Sequence, residues 1–66
     1  MIKLTNRIKV LRAEKNISQE VLAKAVGVSR QTIISIEGGD YSPSVTLAFK
    51  IAKYFGKKLE EIFTLK

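Results

Sequence analysis

Apolar positions along this chain recur at spacings of three and four residues, and the recurrence breaks at Asn16, Gly27, Gly38-Gly39, Pro43 and Gly56. That pattern predicts a series of short helices of roughly 8–12 residues rather than strands. Ile8 and Leu11 form the inward stripe of a first helix, which starts near Thr5 or Asn6, both good N-caps, and stops near Lys15-Asn16. Ser18 caps a second helix through about Ala25, with Leu22, Ala23 and Val26 on one face. Gly27 ends it, where a left-handed residue carries no Cβ strain. Ser29 caps a third helix running to about Glu37, with Ile33 and Ile36 inward. A fourth spans 45–55, its stripe made of Val45, Ala48, Ile51, Ala52 and Phe55. Either Ser42 caps it, with Pro43 at the first helical position, or Ser44 does. Leu59, Ile62 and Phe63 predict a short fifth helix. The tails Ile2-Lys3-Leu4 and Phe63-Thr64-Leu65 alternate apolar and polar residues, so they either pair as a small β-ladder or fray. The expected class is all-α: one compact five-helix domain over residues 1–66, with or without that terminal two-stranded ladder.

Length and composition narrow the chemistry. Sixty-six residues make one domain, whose folding buries only about 60% of the surface its unfolded chain exposes. Chains of this size often add disulfides, metals or a second copy. This one has no Cys, no His and no Trp. Disulfides are excluded, a zinc site lacks its usual ligands, and nucleophilic catalysis lacks its usual base. We therefore expect no enzyme, no metal and no cofactor. The longest apolar run is three residues, and the N-terminus lacks a signal peptide's apolar stretch. No membrane association is expected, and the cytoplasm or nucleoid is the default compartment.

Charge then points to the kind of partner. Twelve basic and six acidic residues leave a net charge of +6. The first 33 residues hold seven of the cations and only two of the acids, so the N-terminal half is the stronger electrostatic footprint. Such an excess fits nucleic acid, an anionic membrane or an acidic protein, and equally an ordinary solvated basic face.

The stretch 18–37 separates these readings. Two short amphipathic helices joined through Gly27-Val28 must cross steeply, as in a helix-turn-helix whose second helix enters the DNA major groove. That groove, about 12 Å wide, admits one α-helix. With Ile33 and Ile36 inward, Arg30, Gln31, Ile34 and Ser35 point elsewhere. Arg can fork to guanine, Gln to adenine, and an aliphatic group can touch a thymine methyl. Gln19 begins the second helix, beside free backbone amides that favour phosphate.

Arg7-Ile8, Leu11-Arg12, Ile17-Ser18-Gln19, Leu22-Ala23, the run from Val26 to Ile33, Ile36-Glu37, Gly39, Pro43-Ser44-Val45 and Ile51-Ala52 together resemble the lambda-repressor-like helix-turn-helix family, the Cro/repressor (XRE-like) type. The likeness covers about residues 6–63. The length and apolar tails are similar to short standalone regulators of the cytolysin-operon repressor type. The resemblance implies a five-helix domain whose helix-turn-helix covers about residues 18–37, with a recognition helix at about 29–37. It implies a homodimer on a palindromic operator in double-stranded DNA. By the same resemblance, Gln19 would contact phosphate, and Ser29, Arg30, Gln31, Thr32 and Ser35 would face DNA. Tyr41 and Ser42 would reach backbone phosphates, while Arg12 and Glu37 would form a structural ion pair. Asp40 departs from the family's often basic loop, and Ile34 and Val21 replace residues that are more often polar; either of these two could mark altered base preference or a partner surface.

Apolar residues off the core stripe give a further expectation. Leu47 and Tyr54, seven residues apart on the fourth helix, with Leu59 and Ile62, form a candidate two-fold dimer patch. Leu59 and Ile62 could equally close the protomer's own core. The leading function is a sequence-specific DNA-binding transcriptional regulator, a repressor. The alternative is an antitoxin or protein-interaction module on the same scaffold, with a protein partner such as a toxin.

Overall fold

A computed structural model describes residues 3–66. It contains β1 (Leu4–Asn6), α1 (Ile8–Lys15), α2 (Gln19–Val26), α3 (Arg30–Glu37), α4 (Val45–Phe55), α5 (Leu59–Ile62) and β2 (Phe63–Leu65). The five predicted helices are present, and the tails pair. β1 and β2 form an antiparallel ladder in the register Leu4↔Leu65, Thr5↔Thr64 and Asn6↔Phe63. Its expected member Ile2 lies outside the described residues.

Local chemistry explains most boundaries. Ser18, Ser29 and Ser44 each accept a hydrogen bond from a backbone N–H three residues on, which satisfies one of the free donors at the start of α2, α3 and α4. Ser44 rather than Ser42 is therefore the cap of α4. Gly27 closes α2 at φ 78°, and nothing lies within 4 Å of where its Cβ would sit. Backbone conformation alone thus selects glycine there. Asn16 takes the same left-handed region at φ 56° and ends α1.

The start of α1 differs from expectation. Thr5 and Asn6 lie in β1, and Arg7 is the N-cap without a capping side chain. Asn6 still serves the helix from one residue further out. Its Oδ1 accepts from the Ile8 N–H, while its Nδ2 donates to the Ile36 carbonyl at 2.9 Å. One amide thus ties the terminal sheet, α1 and the end of α3 together.

The core is a single cluster, in which Ile8, Leu22, Ile33, Ile36, Ile51 and Ile62 are the largest fully buried side chains. On α4 the inward arc is Leu47, Ala48, Ile51, Ala52 and Phe55. Two expectations are corrected here. Val45 is not a core residue but is 73% exposed, and Leu47 is buried rather than on the outer side of the helix. The arc is centred on Ile51 because α2 and α5 both pack against α4, and together they cover more of it than one stripe. Ile62 is fully buried, and Tyr54 and Leu59 pack against the same cluster. A small chain has taken all four residues of the expected dimer patch into or onto its own core.

Candidate nucleic-acid interface

The turn Gly27-Val28-Ser29 is short enough that α2 and α3 must cross within one packed unit. Leu22, Ala23 and Val26 from α2 meet Ile33 and Ile36 from α3 in the common core. Burying that side of α3 forces its opposite side outward. Arg30 and Gln31 are exposed, while Thr32 and Ser35 are half-buried at its edges. Ile34 is likewise half-buried, so part of its side chain remains accessible.

The outward residues are partly ordered by one another. Ser29 Oγ and Thr32 Oγ1 lie 3.0 Å apart, and Gln31 Nε2 donates to Ser35 Oγ at 3.4 Å. Both pairs follow the three- and four-residue spacing of one helix face. This leaves the Gln31 amide oxygen and the whole Arg30 guanidinium available to a partner.

Two clefts flank this face. The first is lined by Arg12, Ser18, Gln19, Glu20 and Arg30, so it joins two guanidinium groups to the start of α2. The second is lined by Ser29, Gln31, Thr32, Ser35, Asp40 and Tyr41. Each side of α3 therefore carries one carboxylate, Glu20 in the first cleft and Asp40 in the second, and the first adds the guanidinium groups of Arg12 and Arg30. Tyr41, 52% exposed, lines the second cleft beside Asp40 from the loop after α3, whereas Ser42 is exposed in the same loop but lines neither cleft. Val21 is 47% exposed on α2.

Arg12 and Glu37 underlie the first cleft. Arg12 Nε meets Glu37 Oε2 at 2.6 Å, and Nη2 meets Oε1 at 3.1 Å, a bidentate fork. Their side chains are only 14% and 8% exposed. Arg12 Nη1 also donates to the Ile17 carbonyl at 3.1 Å. Gln19 is held here too, its Nε2 donating to Glu37 Oε1 at 3.3 Å. The sequence assigns Gln19 only an outward role and does not reveal this bond. The two residues are 18 positions apart, and only the crossing of α2 over α3 brings them together.

No group of three or more acidic or otherwise metal-ligating side chains forms a metal site among the described residues. No helix is long and apolar enough to cross a membrane.

Comparison with known proteins adds to this geometry. The helix-turn-helix family model matches residues 8–62. An HTH-type transcriptional regulator of Methanocaldococcus jannaschii, itself uncharacterised, is 62% identical over 60 residues, covering 91% of each chain. The RstR transcriptional repressor of the cryptic phage CTXphi in Vibrio cholerae is 33% identical over 58 residues, covering 88% of this chain and 52% of that protein. Among solved structures, the restriction-modification controller protein C.AhdI of Aeromonas hydrophila superposes with a TM-score of 0.75. It is 30% identical and covers 82% of this chain and 78% of that one.

Proposed function

Because this chain belongs to the helix-turn-helix family of transcriptional regulators, we propose that it is a repressor that reads a palindromic operator as a homodimer. The carrying observation is the outward face of α3, where exposed Arg30 and Gln31 stand between two clefts. Arg30 forks to a guanine and Gln31 to an adenine, while Gln19, Ser29, Thr32 and Tyr41 meet backbone or sugar. Ser35 holds Gln31 in its reading position. Repression follows from occupancy of a promoter; the relative RstR is named a transcriptional repressor.

The dimer contact falls on Val45 and Phe49. They are four residues apart on α4, 73% and 57% exposed, and so form one apolar strip outside the core. A strip of this kind can meet its own copy across a two-fold axis, with Lys53, four residues beyond Phe49, at its edge. A protomer measures 32 × 22 × 21 Å, a size compatible with two copies presenting their α3 helices to half-sites about 34 Å apart. The antitoxin alternative draws on exposed Val21 and Asp40 and on half-buried Ile34.

Selection from random duplex DNA with the purified protein tests this reading. The expected product is a short inverted repeat whose binding weakens by about 10³-fold or more between 50 and 200 mM salt, if 6–10 phosphates are contacted. Equal affinity for the selected and a scrambled duplex would overturn it.

A further inference from the structure

A groove of about 440 Å³ runs along the C-terminal end of α2 and the outer side of α4, away from the clefts beside Arg30. It is lined by exposed Lys24, Lys50 and Lys53 together with buried Val26 and half-buried Tyr54. No acidic residue lines it. Among the described residues, none of these lysines lies within 4.0 Å of a carboxylate. A fourth cation, Lys15, sits with its ammonium 5.8 Å from the centre of the Tyr54 ring. Four cations thus converge on one side of a small domain; Lys15, Lys24 and Lys53 each lie in the last turn of their helix, where a cation also favours the helix dipole.

The groove connects with the reading face. Lys50 also lines a neighbouring depression with Thr32 and Tyr41. Those two residues in turn border the cleft that holds Gln31 and Ser35. A continuous surface therefore leads from α3 to the lysines. A second copy cannot occupy it two-fold, since lysines would meet lysines.

We infer that Lys24, Lys50 and Lys53 hold the DNA backbone outside the half-site, so that the footprint extends past the bases α3 reads. The inference rests on the regulator reading above. A DNA strand alternates anionic phosphates with apolar deoxyribose faces, which suits lysines beside the half-exposed Tyr54 ring. A lysine ammonium on its flexible stem contacts phosphate as a point charge, without demanding a base sequence. The gain is therefore in affinity and salt dependence, not in base preference.

The test compares two duplexes carrying the selected operator, one trimmed to the inverted repeat and one with about ten further base pairs on each side. The full chain and the Lys24→Gln/Lys50→Gln/Lys53→Gln variant are titrated with both across a salt series. The native protein is expected to bind the longer duplex more tightly. The variant should lose that advantage, and its slope of log affinity against log salt should fall by about 0.9 for each phosphate contact removed. Base preference should not move, and the triple Lys→Arg variant should restore both slope and advantage. An unchanged slope and an unchanged flank advantage would overturn the inference. So would a variant that keeps both but loses binding to poly-glutamate, because the groove would then serve an acidic protein. If the native protein fails to discriminate operator from scrambled DNA, the regulator reading itself falls, whatever the lysines do.

Discussion

Gln19 Nε2 donates to Glu37 Oε1 across 3.3 Å, and the same carboxylate holds Arg12 through two shorter bonds. Three helices are therefore pinned at one point: α1 by Arg12, α2 by its first residue and α3 by its last. The crossing of α2 and α3 decides how far Arg30 projects, so this network sets the posture of the reading face. It also fixes the orientation of the Gln19 amide. With its nitrogen committed to Glu37, its amide oxygen is left for a partner in the cleft beside Arg30, which Gln19 lines.

Removing Glu37 should therefore damage the fold first. Glu37→Ala leaves the Arg12 guanidinium, with its side chain only 14% exposed, without its anionic partner. Only its bond to the Ile17 carbonyl remains. Breaking one side of a buried pair costs 3–5 kcal/mol; this pair retains some exposure, so about 2–3 kcal/mol is expected. In a domain of this size each kcal/mol lowers Tm by about 4–8 °C. A thermal unfolding scan should thus show a drop of about 8–24 °C, and an unchanged Tm contradicts the role given to the pair.

Truncating Gln19 should separate from that. Gln19→Ala removes one neutral donor from a carboxylate that still has Arg12, so stability should fall by no more than about 1 kcal/mol. Operator affinity should drop, while the salt slope should stay nearly as it was, because a neutral amide on a phosphate releases no counterion. Base preference should stay as it was. A changed preference in a repeated DNA selection would instead place Gln19 on a base edge.

The helices were legible because spacing and punctuation agreed. Serines stand before each of α2, α3 and α4, and apolar residues recur at helical spacing. The rest depended on packing that periodicity does not encode. Leu47 and Val45 are two residues apart and equally apolar, so the stripe on α4 is ambiguous until α2 and α5 are placed against it. The buried member proved to be Leu47 and the exposed one Val45. Ile34 looked outward by angle, yet neighbouring chain covers part of it. The Gln19–Glu37 bond and the convergence of Lys24 with Lys50 and Lys53 join residues far apart in the chain. One sequence without its fold carries no local signal for either.

The cap of α4 gives a clean internal comparison. Ser44 Oγ accepts from the Leu47 N–H at 3.1 Å, whereas Ser42 makes no capping bond. Ser44→Ala should cost about 1 kcal/mol, a Tm loss of about 4–8 °C. Ser42→Ala should stay within about 0.5 kcal/mol of the parent. Equal losses for the two serines, measured by denaturant unfolding, would refute the assignment.

Arg30 is the cation on the face proposed to read bases. Arg30→Ala should cost about 1–3 kcal/mol of operator binding and relax preference at one base pair of each half-site. The fold should be untouched, since Arg30 is exposed and no carboxylate pairs with it among the described residues. Affinity measured against single-base operator variants distinguishes two outcomes. Relaxed discrimination at one position places Arg30 on a guanine edge. A loss spread evenly over all sequences places it on phosphate.

Phe49 tests the dimer independently of DNA. With the four residues of the originally expected patch packed into or onto the protomer core, the apolar strip of Val45 and Phe49 remains for a second copy. Fully burying an exposed Phe or Val side chain is worth about 1.5–3 kcal/mol, and a two-fold contact counts each residue twice. Phe49→Glu replaces that gain with two carboxylates facing each other across the axis. The variant should sediment as a monomer at concentrations where the parent is a dimer. It should also keep its helical signal and Tm to within the loss that follows from dissociation. Operator affinity should fall steeply, while binding to an isolated half-site changes little. A variant that still dimerises would move the interface away from α4 altogether.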